Sequence, residues 1–421
     1  MASRLGANTY VSDLVPPQQF LLDKSIASHV KPEHCFQQND PKWQDVLGTM
    51  DWIVLSPGIP TDIFFLQKAR DRSVPIVNEI ELACRLVKGP IIAVTGTNGK
   101  TTTVSMIGEM AGRFLKHVFV GGNIGLPLAE AVLERTEYDL IVLELSSFQL
   151  ESMQQFHPNV AAILNLSANH GERYSRIEDY AAAKFLITKN MSPKQDFLIY
   201  NKDYAPYITG VLQSKLSASA LSMSCLEDYK LELKANYDLS KFKLPGEHNL
   251  FNLFVAEKCL AALQLNNKKA IQEVINNFPG VPNRIEYVEN QSGHVVYNDA
   301  KSTNWEATLT ALKAMPRDKG PLYLILGGQC RGRGDSAKDL LLEIKKRVAC
   351  VYLIGETAAS LAQELKDHVI CKHTGTLETT WNDLQKAAKG VVLLSPAFPS
   401  FDQFKNYTHR GECFRKMVRG S

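Results

Sequence analysis

The stretch Ile91–Met110, IIAVTGTNGKTTTVSMIGEM, decides how the rest of the chain is read. Its opening apolar run is the kind that a parallel sheet buries on both faces, and Lys100 begins a helical pattern. Between them, Gly96-Thr97-Asn98-Gly99 makes a bend that aims backbone N–H groups and a helix N-terminus at an anion. Lys100 can bridge the outer phosphates of a nucleotide, and the Thr101 hydroxyl can ligate Mg²⁺, as in the pattern G-x-x-x-x-G-K-[ST]. Val94 stands where that pattern has its first glycine, so the loop takes the compact form G-x-x-G-K-T. Nucleotide binding at Gly96–Thr102 is the expectation.

Outward from this loop, short β-branched runs alternate with helical stretches. They include TYVSD (9–13), DWIVLS (51–56), PIVN (75–78), HVFVGG (117–122), DLIVLEL (139–145), AAILNL (161–166) and FLIY (197–200). HVVYND (294–299), LYLILGG (322–328), CVYLIG (350–355) and GVVLLSP (390–396) continue the series. Such alternation predicts an α/β protein with parallel sheets. Breaks at VKGP (87–90) and FPGVPNR (278–284) predict three domains, 1–89, 90–280 and 281–421. That count suits 421 residues at roughly 150 per domain. The start departs from a Rossmann-like pattern. Gly6 reads as a helix stop followed at once by the strand at 9–13, so the usual first strand and glycine turn are expected to be missing.

Hydrophobic residues make up 45% and charged residues 22%, the balance of a soluble globular protein with sizeable cores. A net charge of +3 is too small to argue for nucleic acid or a membrane surface. No apolar run reaches the ~18 residues of a membrane span, and the N-terminus lacks the apolar core of a secretory signal. The eight cysteines, Cys35, Cys84, Cys225, Cys259, Cys330, Cys350, Cys371 and Cys413, form no CxxC pair. They read as small hydrophobes of a reducing compartment, so a cytoplasmic location is expected.

Glu144 ends the strand run at 139–145 and is followed by Ser146 and Ser147. A carboxylate at a strand end beside a phosphate loop suits Mg²⁺, though a buried structural glutamate fits the same pattern. His170 closes the next loop, and Lys184 follows on an amphipathic helix. By spacing alone, such a histidine is usually structural and such a lysine usually solvated.

Together, TGTNGKT, the glutamate at the next strand's end and the histidine–lysine interval resemble the central domain of the Mur ligase family. NDAKSTNWEAT (298–308), LILGG (324–328) and LLSPAFPSFDQFKNYTHRGECF (393–414) resemble its D-glutamate-adding members, and SPGIP (56–60) and NEIEL (78–82) extend the likeness toward the start. The resemblance implies three domains: a Rossmann-like N-terminal domain short of its first strand, a central P-loop-type ATPase and a C-terminal Rossmann-like domain. It implies an ATP-dependent ligase that joins D-glutamate to UDP-N-acetylmuramoyl-L-alanine through an acyl phosphate, as a monomer with no nucleic-acid or membrane partner.

The residue roles it implies follow the matching positions. Lys100, Thr101 and Thr102 would hold ATP phosphates and Mg²⁺. Glu144, His170 and a carbamylated Lys184 would ligate metal, with two Mg²⁺ ions in the site. Asn249 and Asn252 would approach adenine, Arg284 a phosphate and Asp299 the ribose. Asn123 and Ser147 would lie beside the nucleotide sugar, Ser12 and Asp13 near the uracil, and Ser56, Pro57 and Gly58 near its pyrophosphate. Lys301, Thr303, Arg331, Ser400, Phe401 and Tyr407 would bind D-glutamate. Arg331 stands for a usual lysine and Phe401 for a usual leucine, and the surroundings of His170 read N-H-G-E-R rather than D-H-x-D-R. Another amide ligase of the same family, of the folylpolyglutamate type included, and a non-catalytic nucleotide-binding protein remain alternatives. Lys100, Glu144, His170 and Lys184 together argue for the enzyme.

Overall fold

The computed structural model of the chain describes residues 1–56, 59–60, 62–166, 174, 176–192, 194–201, 220–223, 226–330 and 337–420. Pro57, Gly58, His170 and Arg331, named above as site residues, lie outside the described residues. The chain divides into two compact units, Met1–Cys225 with Val255–Ala270, and Leu226–Phe254 with Ile271–Ser421.

The first unit opens with a 3₁₀ turn, Ser3–Leu5, closed by Gly6 at φ 88°, a left-handed stop that glycine adopts without steric cost. Strand β1 (Val11–Asp13) then pairs in parallel with β2 (Cys35–Gln37), and β3 (Ile53–Leu55) with β4 (Ile76–Asn78). These two pairs remain separate two-stranded sheets.

The large sheet of this unit holds β5 (Ile91–Thr95), β6 (Val118–Gly122), β7 (Leu140–Glu144), β8 (Val160–Ile163), β9 (Phe197–Asn201) and β10 (Ala220–Met223). Its order is β10-β9-β8-β5-β7-β6, and every pairing is parallel. Strands β5, β7 and β8 are buried along their whole length, which is why they read as unbroken apolar runs. The chain lays β6 and β7 on one side of β5, then crosses to lay β8 on the other. The strand order therefore reverses around β5, and in open α/β sheets ligands bind outside the carboxyl ends of strands at such a point. The loop after β5 is the glycine bend Gly96–Gly99 that the sequence reading expects to hold phosphate.

The second unit carries β11 (Glu286–Val288), β12 (Val295–Asn298), β13 (Leu322–Gly327), β14 (Val348–Ile354), β15 (Ile370–Gly375) and β16 (Val391–Leu394), in the order β11-β12-β16-β13-β14-β15. Only β11 runs antiparallel. Along β13, Leu322, Leu324 and Leu326 enter one apolar core while Tyr323 and Ile325 enter another on the opposite face. Each fully buried side chain of this kind contributes about 1.5–3 kcal/mol. Among the described residues, no helix is long and apolar enough to cross a membrane.

Candidate active site

Helix Lys100–Ala111 starts directly from the bend, with Gly99 at φ 84° as its N-cap. Gly96 takes φ 147°, and a Cβ there would stand 3.0 Å from Leu164 Cβ and 3.2 Å from the Asn165 nitrogen. Glycine is required at both bends because one demands a left-handed backbone and the other also demands close backbone approach.

Two lysines converge on this loop. Lys100 Nζ donates to the carbonyl oxygens of Gly96 and Thr97, each at 2.9 Å. Lys184, on helix Ile177–Phe185, is only 1% exposed, and its Nζ donates to Gly96 O at 3.0 Å and approaches Thr95 Oγ1 at 3.5 Å. The same Nζ lies 4.4 Å from the centre of the Tyr180 ring. Burial, reinforced by the positive charge of Lys100 and opposed by Glu144, pushes the Lys184 ammonium down to about 7.

Glu144, the last residue of β7 and 2% exposed, accepts from Thr101 Oγ1 at 2.7 Å and from Asn123 Nδ2 at 2.9 Å. The Asn123 N–H also donates to Glu144 O at 2.8 Å, so the bend after β6 is tied to the end of β7. Ser147 is buried at the first position of helix Ser147–Glu151, where Ser146 and Gln149 close a capping box. Thus Lys100 and Lys184 meet on the Gly96 carbonyl, while Thr101 and Asn123 meet on the Glu144 carboxylate. Thr97 is half-buried and Asn98 exposed.

The donor set fits Mg²⁺. One buried carboxylate beside a threonine hydroxyl and a phosphate loop is the oxygen-only arrangement this ion takes with nucleotide phosphates. Among the described residues, no group of three or more His, Cys, Asp or Glu side chains gathers as a complete metal cage.

Ser12 and Asp13 are exposed on β1, and Ser56 is exposed just after β3. No described contact ties them to the loop. In the second unit, Asn249 Nδ2 donates to Pro245 O at 2.7 Å, and Asn252 Nδ2 to Asn249 Oδ1 at 3.3 Å, both buried on helix Glu247–Ala262. Asp299 is buried, accepting from Ser302 Oγ at 2.5 Å, Ser395 Oγ at 2.8 Å and the Ile285 N–H at 3.2 Å. Burial pushes its carboxyl up to about 6, against the pull of those hydrogen bonds and of Arg284. Lys301 Nζ lies 5.8 Å from the Tyr407 ring centre. Thr303 is half-buried, and Phe401 is 65% exposed. Among the described residues, the buried Arg284 Nε and Ser400 Oγ have no hydrogen-bond partner.

Sequence reading passed over Asn165, whose side chain grips the loop at Asn98, and Tyr180, which faces Lys184. An amide at the end of an apolar run is visible in the sequence; the loop it reaches is not.

The chain matches the Mur ligase middle domain over residues 94–260 and the glutamate ligase domain of Mur ligases over 283–398. It is 37% identical to the UDP-N-acetylmuramoylalanine–D-glutamate ligase of Koribacter versatilis, covering 98% of this chain and 92% of that one. Its identity to the enzyme of the same name from Aquifex aeolicus is 38%, over 90% of this chain and 91% of the relative. The fold is also that of the MurF ligase of Thermotoga maritima, solved with ADP, at a TM-score of 0.53 and 16% identity over 88% of this chain and 97% of that one. The MurF of Acinetobacter baumannii gives 0.55 at 18% identity over 81% and 78%. The chain belongs to the Mur ligase family, alongside its UDP-N-acetylmuramoylalanine–D-glutamate ligases.

Proposed function

We propose that the chain is an ATP-dependent ligase that adds D-glutamate to UDP-N-acetylmuramoyl-L-alanine in peptidoglycan precursor synthesis. The observation that carries this reading is the convergence of Lys100 and Lys184 on Gly96 O beside the Glu144–Thr101 pair. Amide formation from a carboxylate needs activation, because its oxygen is a poor leaving group. The L-alanine carboxylate would attack the γ-phosphate of ATP, forming an acyl phosphate and releasing ADP. The D-glutamate amine would then attack the acyl carbon and expel phosphate.

The first step opposes two anions, and like unit charges roughly 4 Å apart repel by about 4 kcal/mol at an effective dielectric of about 20. Lys100, once moved from the Gly96 and Thr97 carbonyls, and the helix N-terminus would supply the opposing positive field. Mg²⁺, when bound, adds charge neutralisation at the phosphate oxygens, and Thr101 and Glu144 would hold it together with His170. Asn123 would orient the Glu144 carboxylate.

Lys184 takes the role of a carbamate: its neutral amine would add to CO₂, forming an N–C bond and releasing one proton. The carbamate would act as a further oxygen ligand for a second Mg²⁺. Burial that disfavours the ammonium supports this assignment.

The same reading assigns 1–89 to a Rossmann-like nucleotide-sugar domain, 90–280 to the ATPase and 281–421 to a Rossmann-like amino-acid domain. Ser12, Asp13, Ser56, Pro57, Gly58, Asn123 and Ser147 then serve the nucleotide sugar. Asn249, Asn252, Arg284 and Asp299 serve ATP. Lys301, Thr303, Arg331, Ser400, Phe401 and Tyr407 serve D-glutamate, and the unpartnered Ser400 Oγ supports that role. A monomeric, cytoplasmic enzyme completes the proposal. The test is ADP release with each substrate omitted in turn: release requires both UDP-N-acetylmuramoyl-L-alanine and D-glutamate, and equal release without either one would overturn the assignment.

A further inference from the structure

We propose that Asn165 is a positioning residue for nucleotide binding, fastening the phosphate loop to the end of β8 and thereby selecting which loop N–H groups face the phosphates. The inference rests on the reading that ATP lies against Gly96–Thr102.

The pairing of β5 with β8 reaches Thr95 and Ile163, and it continues past both strand ends. The Leu164 N–H donates to Thr95 O at 3.0 Å, and the Thr97 N–H to Asn165 O at 3.0 Å. There the side chain takes over. Asn98 N–H donates to Asn165 Oδ1 at 2.8 Å, and Asn165 Nδ2 donates to Asn98 O at 2.9 Å. A side-chain amide carries the same acceptor and donor groups as a peptide unit, so Asn165 adds a rung beyond the backbone ladder. Gly96 lies inside this zipper, where a Cβ would press on Leu164 and Asn165.

Two consequences follow. First, the Thr97 and Asn98 N–H groups are turned toward Asn165 and away from an anion. Phosphate recognition then falls to the first turn of helix Lys100–Ala111, where N–H groups such as those of Thr101 and Thr102 have no partner within the helix. Second, the tie fixes the Gly96 and Thr97 carbonyls on which Lys100 Nζ rests. Asn98 itself is exposed, so packing alone does not hold the loop tip. Asn165 is uncharged and acts through the loop's shape.

The test measures ATP affinity of the full chain by calorimetry, with steady-state kinetics, for wild type, Asn165→Ala, Asn165→Gln and Lys100→Ala. Binding of UDP-N-acetylmuramoyl-L-alanine and thermal unfolding without nucleotide report on the rest of the fold. Asn165→Ala should weaken ATP binding and raise its KM by about tenfold, equivalent to about 1.4 kcal/mol, with kcat held within about threefold. Nucleotide-sugar affinity should stay at the wild-type value, and Asn165→Gln, with the same amide on a longer stem, should recover part of the loss. Should Asn165→Ala fail to fold, Asn165→Asp, which keeps shape and acceptor but removes the donor, carries the test on the same readouts. Wild-type ATP affinity in Asn165→Ala, with Lys100→Ala still impaired, would overturn the inference. So would a parallel loss of ATP and nucleotide-sugar binding with a large fall in Tm, which marks a purely structural residue. Wild-type ATP affinity in Lys100→Ala would instead remove the underlying reading of the loop.

Discussion

Lys100 and Lys184 donate to the same oxygen, the Gly96 carbonyl, at 2.9 and 3.0 Å. One lysine leaves the first turn of the helix after β5, and the other comes from a helix more than eighty positions later in the chain. Two ammonium groups on one neutral acceptor leave excess positive charge, which an anion or the loss of one proton relieves.

Lys184→Met fills the buried volume but removes the nitrogen. The variant should fold and lose at least about a hundredfold in turnover, roughly 3 kcal/mol of transition-state stabilisation. Added bicarbonate should restore nothing. Steady-state ADP release checks this, and wild-type turnover would remove Lys184 from the mechanism.

Glu144→Gln keeps the shape of the side chain while removing its charge beside Thr101. It should raise the Mg²⁺ concentration needed for half-maximal activity by about tenfold or more, the order expected for lost metal affinity at a single ligand. A Mg²⁺ titration at saturating ATP decides the matter, and an unchanged midpoint would assign Glu144 a structural role.

Glu81 predicts a stability effect remote from the chemistry. It is fully buried and accepts the N–H groups of Gln154, Gln155 and Phe156 at 2.9–3.2 Å, together with Arg85 Nη2 at 2.8 Å. Glu81→Ala would strand those donors and cost about 3 kcal/mol or more. Urea unfolding of the two proteins measures it; a loss within about 0.5 kcal/mol, the range of an ordinary surface change, would contradict the account.

Asp299 sets a pH dependence. Its folded-state carboxyl is raised to about 6, so between the ordinary value of 3.8 and about 6 the folded chain binds more protons than the unfolded one. Stability from this group is therefore full below 3.8 and is lost as pH rises through about 6. Asp299→Asn keeps the acceptor for Ser302 and Ser395 without the charge. Relative to that variant, wild type should lose on the order of 2–3 kcal/mol from pH 4 to 7. Parallel stability curves across that interval would contradict the raised carboxyl.

Much of this architecture was legible in the sequence because parallel strands buried on both faces cannot hide polar residues. IIAVTG, DLIVLEL and LYLILGG announced β5, β7 and β13. The strands that escaped lack such runs. β15, Ile370–Gly375, lies at a sheet edge with every residue partly or fully exposed, so ICKHTG reads as polar coil. The three-residue strands Cys35–Gln37 and Glu286–Val288 are too short to show a period, and Ala220–Met223 also went unread. At the site, the places of Lys100 and Glu144 were legible because motif and strand end fix them. The grip of Asn165 on Asn98 was not, since it joins residues 67 positions apart through a loop geometry no local pattern encodes.

The most direct test is a crystal structure with a non-hydrolysable ATP analogue and Mg²⁺. The account predicts the β- and γ-phosphates against Gly99–Thr102, Lys100 Nζ moved from the Gly96 and Thr97 carbonyls onto phosphate oxygen, and the metal beside Glu144 and Thr101. A triphosphate bound elsewhere, with Lys100 still on those carbonyls, would contradict it.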